Sequence, residues 1–113
     1  MSNDDLMKKI NMLEYHQKLL LKMVGHSRLN FYYLIIENSL SQEEADRILM
    51  NCENLSKDLQ KQKAEGFVYF HPLYKQFKLF LEPKLNADEV IAACLEQGLY
   101  VPLMQELKKY SEL

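Results

Sequence analysis

Hydrophobic and polar positions follow the period of an α-helix through most of this chain. Near its start, Leu6, Ile10, Leu13, Gln17, Leu20 and Val24 fall at alternating steps of four and three. Such a seven-residue repeat keeps one edge of a helix turned toward a partner helix. With Leu6, Leu13 and Leu20 at d positions, Ile10, Gln17 and Val24 take the a positions. Leucine at d with β-branched residues at a favours a two-stranded parallel coiled coil. Gln17 is polar, a residue type that fixes register at some cost in stability. Lys9 and Glu14 stand at g and the following e, placed to pair between chains. About three heptads make a seam that is marginal alone. The pattern therefore predicts an assembly helix over residues 4–24, with these six residues as the oligomer interface. The alternative is an amphipathic helix packed on its own domain.

The remaining pattern predicts further helices. Asn3 is the expected cap of the first, with Asp4 and Asp5 at the positive end of its dipole and Gly25 ending it. A linker follows over 26–29. Asn30 is the expected cap of a second helix to Asn38, apolar nearly all round and hence buried between others. Ser41 and Glu44 form a capping box that opens a third helix to about Glu65, with Leu40 placed to staple onto Ala45. Ala45, Ile48, Leu49, Cys52, Leu55 and Leu59 make its apolar face, and Gly66 stops it. Phe67 to Phe70 is a short aromatic run with no strand to pair with, so an extended connector is expected. Pro72 opens a fourth helix whose inner face is Leu73, Phe77, Phe80 and Leu81; Pro83 ends it by forcing Glu82 from helical geometry. Asn86 caps a nearly all-apolar fifth helix, which is therefore central. Gly98 stops it, and Pro102 opens a sixth with Leu103, Met104, Leu107 and Tyr110 inward. Ile35–Leu40 and Cys94–Leu99 end their helices alike, through a repeat or through shared turn chemistry. Together this is an all-α, single-domain bundle of five to six helices over 1–113, with a coiled-coil-like N-terminal helix and a helical core over 30–113.

Composition narrows the picture. Three glycines and three prolines in 113 residues are too few for a barrel or sandwich. Fourteen basic and 16 acidic residues are interspersed, so no basic stripe argues for nucleic-acid affinity. No apolar run reaches membrane-span length, and the acidic start is unlike a secretory signal. Cys52 and Cys94 sit among apolar helical residues, as reduced buried thiols of a cytoplasmic protein would; a disulfide is the alternative.

Four stretches carry a resemblance: Leu13-Glu14-Tyr15, Leu40 to Glu44, Gln62 to Val68 and Glu96 to Tyr100. In that order and spacing the chain resembles the YhaI-like family of small bacterial proteins over nearly its whole length. The resemblance implies an all-helical fold, a bacterial cytosolic setting and oligomers. It implies no activity and carries over no catalytic or binding residue.

Candidate chemistry is thin. His16, His26 and His71 with Cys52 and Cys94 show no metal-ligand spacing. The cysteines lack the electropositive setting that activates a nucleophile, and no glycine-rich phosphate loop exists. His16, at a g position, is expected at the rim of the seam. Tyr69, Phe70, Tyr74, Phe77 and Phe80 are expected to pack the core, with Tyr69 or Tyr74 the candidates for a partner surface. The expected function is that of a non-enzymatic homo-oligomeric adaptor or regulator, a dimer first. It would be cytoplasmic, use no cofactor or metal, and bind an unknown protein partner rather than membrane or nucleic acid. The alternative is a helix-turn-helix DNA-binding regulator built on Phe31 to Leu59. Glu43, Glu44 and Asp46 at the start of its second helix would repel DNA.

Overall fold

The computed structural model describes residues 2–25 and 30–111, so the expected linker at 26–29 lies outside the described residues. The described residues form six helices and no strand: α1 (Asn3–Val24), α2 (Asn30–Glu37), α3 (Gln42–Ala64), α4 (His71–Leu81), α5 (Ala87–Gln97) and α6 (Val101–Lys108).

Most of the core lies within α3 to α6, and Phe31 of α2 completes it. Ile48, Cys52, Leu55 and Leu59 of α3 meet Leu73, Phe77 and Leu81 of α4 and Leu103, Met104 and Leu107 of α6. α5 contributes Val90, Ile91, Ala93 and Cys94 and packs most heavily on α6 and α2. Its apolar sequence does place it centrally. α2 is different from the all-round burial that its composition suggests. Phe31 alone is fully buried, Leu34 and Ile35 lean on the core, and Tyr32 and Ile36 are exposed. The reason is geometric: α2 rests chiefly on one neighbour, α5, which can cover only one of its sides.

Several helix ends follow their local chemistry. Ser41 Oγ accepts the Glu44 N–H at 3.1 Å, and the Glu44 carboxylate accepts the Ser41 N–H at 3.2 Å. Asn86 Oδ1 accepts the Glu89 N–H. Glu82 is extended before Pro83. Two expected caps are displaced. Ser2, not Asn3, caps α1, because its hydroxyl accepts from Asp5 and Asn3 has already entered the helix. Asn30 lies inside α2, where its amide binds the Glu96 carboxylate. Gln97 serves the α2 start instead, its Oε1 accepting the Phe31 N–H at 2.9 Å.

The echo between Ile35–Leu40 and Cys94–Leu99 is turn chemistry. Leu40 N–H donates to Ile35 and Ser39 N–H to Ile36; Leu99 and Gly98 repeat this on Cys94 and Leu95. Both turns need a left-handed residue, Ser39 (φ 55°) and Gly98 (φ 79°). The same pair of bonds closes α3, through Phe67 to Gln62 and Gly66 to Lys63, so the device is not confined to two hairpins.

Residues 67–70 connect α3 to α4 without pairing in a sheet. Phe70 is buried and plugs the core, while Phe67, Val68 and Tyr69 face solvent. Two groups reach the plug, one at its ring and one at its main chain. Lys63 Nζ lies 6.0 Å from the Phe70 ring centre, and Tyr110 binds the Phe70 main chain.

Candidate functional site

α1 stands outside the core. None of its residues is buried, and Leu21 alone is half-buried among the described ones. The radius of gyration is 17.4 Å, and the molecule extends 61 × 28 × 21 Å. A compact chain of this length would have a radius near ~13 Å. The elongation reflects a helix of 22 residues, about 33 Å long, projecting beyond the bundle.

Its sequence accounts for a helix that stands without a core contact. Asp4 and Asp5 occupy the positive end and Lys22 the negative end. No glycine or proline interrupts it, and Leu, Lys and Met favour helix at many positions. Apart from Leu21, its apolar side chains remain largely in water. Leu6, Ile10, Leu13, Leu20 and Val24 of the predicted seam are all exposed, from 39% to 59%.

Gln17, the sixth seam residue, is placed differently from the rest. Its Nε2 donates to the main-chain oxygen of Ile36 at 3.3 Å, tying the middle of α1 to the end of α2. Next to this tie, Tyr15, Lys18, Leu19, Leu21 and Lys22 form a shallow cleft of about 340 Å³ against Tyr33. α2 therefore lies along the flank of α1 that runs from Leu21 at e round to the b and f positions, and leaves most of the a and d edge open. Sequence periodicity could not have found Tyr32 and Ile36, exposed on the neighbouring helix. It could have found a further stripe, Met12, Tyr15, Leu19 and Met23, also exposed and spaced by three or four. His16 is exposed at the g position, and its ring lies 6.2 Å from that of Tyr15.

Several other titratable groups sit in structural arrangements. Burial pushes the Cys52 and Cys94 thiols up to about 12, which makes them poor nucleophiles at neutral pH. Both are free. Glu106 is the buried carboxylate, held by Lys109 at 2.7 Å and Lys63 at 3.7 Å. The hydrogen bond to Glu106 raises Lys109 above its ordinary value. Tyr74 is buried and donates its hydroxyl to Asp88 at 2.9 Å, whereas Tyr69 is exposed. A cleft of about 330 Å³ runs between α3 and the α4–α5 turn past Arg47, Asn51, Phe80 and Lys84. Lys84 there binds Glu44 and, with the Ser41 N–H, holds the Glu44 carboxyl below the usual carboxylate range. Among the described residues, no three His, Cys, Asp or Glu side chains converge as a metal site. His26 lies outside the described residues. No helix among them is long and apolar enough to cross a membrane.

The chain belongs to the DUF1878 family, described as a protein of unknown function, whose family model matches residues 3–112. The match covers α1 as well as the core, so the projecting helix is part of the family's common length.

Proposed function

We propose that this DUF1878 member is a non-enzymatic, homo-oligomeric adaptor or regulator acting through protein contacts, with α1 as its main self-association surface. Within the family we place it with the YhaI-like proteins, on the Gln62–Val68 and Gln97–Tyr100 stretches. The observation that carries the reading is a 22-residue helix with no buried residue and an open line of Leu6, Ile10, Leu13, Leu20 and Val24. Apolar area left in water forgoes roughly 25 cal/mol per Å², and a second copy of the same edge recovers it. A parallel dimer is the first assembly, because leucine at d and β-branched residues at a suit two strands. It also sets Lys9 against Glu14 of the partner subunit. A cytoplasmic setting, without cofactor, completes the proposal.

The test is sedimentation of the wild type against Leu13→Glu combined with Leu20→Glu. A dimer that becomes a monomer with unchanged helicity is expected. Equal masses for the two would reject the interface. The helix-turn-helix alternative gains no observation: α2 packs chiefly on α5, and α3 on α4 and α6. A DNA mobility shift at low salt, where non-specific affinity is greatest, would revive it.

A further inference from the structure

We infer that the surface offered to a second copy is wider than the heptad edge. The exposed side of α2, Tyr32 and Ile36, forms its second wall, and the g-row of the partner's α1 packs against it. This inference rests on the self-association reading above and specifies where the incoming helix lies.

Continuity is the first ground. The Gln17–Ile36 bond brings the end of α2 to the middle of the a/d edge. Ile36 is 40% exposed there, and Tyr32, one turn earlier on the same face, is 49% exposed. Phe31, Leu34 and Ile35 already serve the chain's own core, so Tyr32 and Ile36 are the side that the core leaves over.

The second ground is Gln17 itself. In a plain two-stranded coil, polar side chains at a meet across the axis and set the register. Here the Gln17 amide is engaged with Ile36 of its own chain. One of its N–H donors is thereby spent within its own chain, and an α2 wall beside the seam supplies a second feature that fixes register.

Chemical fit is the third. α2 flanks α1 from the e position round to b, f and c, as half-buried Leu21 and the cleft of Tyr15, Lys18, Leu19, Leu21 and Lys22 against Tyr33 show, and the Gln17 bond holds its end at the e edge next to the seam. In a parallel pair the e-row of one helix neighbours the g-row of the other. The g-row here is Lys9, His16 and Met23, and Met23 is 80% exposed. The wall therefore receives His16 and Met23 of the partner subunit, and a thioether beside a tyrosine ring is a favourable contact. Three heptads alone are short for a stable coil, and the added wall extends the contact toward the ~800 Å² per partner of a stable interface.

The experiment uses the full chain. The dimer dissociation constant is measured for wild type, for Tyr32→Ser with Ile36→Ser, and for Met23→Ser, with helicity followed by circular dichroism. Weakening by about tenfold or more in both variants, with helicity retained, is expected. As a second measurement, Met23→Cys chains are mixed with Tyr32→Cys chains and oxidised with a copper–phenanthroline catalyst and air. A covalent heterodimer is expected. A wild-type dimer with unchanged constants in both variants and no heterodimer crosslink overturns this inference and leaves the α1 interface standing. A wild type that is monomeric at every concentration overturns both.

Discussion

The hydroxyl of Tyr110, just past the end of α6, accepts the main-chain N–H of Phe70 at 2.9 Å, joining residues forty positions apart. Phe70 is the N-cap residue of α4, and its own N–H lies outside the helix's internal hydrogen bonds, so this phenol supplies its acceptor. Leaving a partly buried N–H without a partner costs about 1–3 kcal/mol. Tyr110→Phe keeps the ring contacts with Tyr69 and His71 and removes only the oxygen. Urea unfolding of this variant should show a loss of roughly 1–2 kcal/mol. No loss would mean that water replaces the phenol fully.

Truncations should separate core from projecting helix. Phe31 is fully buried and anchors α2, so Phe31→Ala should cost about 3–5 kcal/mol. Leu13 is 59% exposed, so Leu13→Ala should change the stability of the monomer by less than about 0.5 kcal/mol. Chemical denaturation at the lowest concentration the signal allows, where any self-association is weakest, checks both. A large cost for Leu13→Ala under those conditions would place α1 on its own core.

Glu106 predicts a salt-dependent effect. Its carboxylate is buried while Lys63 and Lys109 remain more than half exposed. The pair is therefore screened on the lysine side, and Glu106→Gln should cost only about 1 kcal/mol at low salt. The difference from wild type should shrink as sodium chloride is raised. A difference independent of salt would assign the effect to packing.

The buried thiols make stability fall in alkali. Cys52 and Cys94 are raised from 9.0 to about 12 in the folded chain. Between those values the unfolded chain releases protons that the folded chain keeps, so folding loses free energy as pH rises. The loss begins near the unfolded value and reaches up to about 1.4 kcal/mol per pH unit from each thiol. Denaturation from pH 8 to pH 10 should show a falling midpoint, flattened in Cys52→Ala with Cys94→Ala. An equal fall in that variant would locate the effect in other groups.

The helical pattern was legible because it is a local property. The capping box at Ser41, the Asn86 cap, the Pro83 stop and the apolar run of α5 each depend on residues within a few positions. The errors fall where distant residues compete for the same group. Asn30 looked like a cap, but Glu96 claims its amide and Gln97 takes over the start of α2. The Lys63–Glu106 contact likewise depends on α3 packing beside α6, which no local pattern specifies.

By itself the amino-acid order determined that this chain is helical, where most of its helices begin and end, and that α1 carries an apolar line of seven-residue period. Those properties follow from side-chain spacing and backbone hydrogen bonds within one or two turns. Tertiary structure alone decided that α1 projects past the bundle, that α2 is covered on one side only, and that Gln17 reaches Ile36. A periodic pattern states which residues share a face; what covers that face depends on where other segments pack, and no local interaction fixes that.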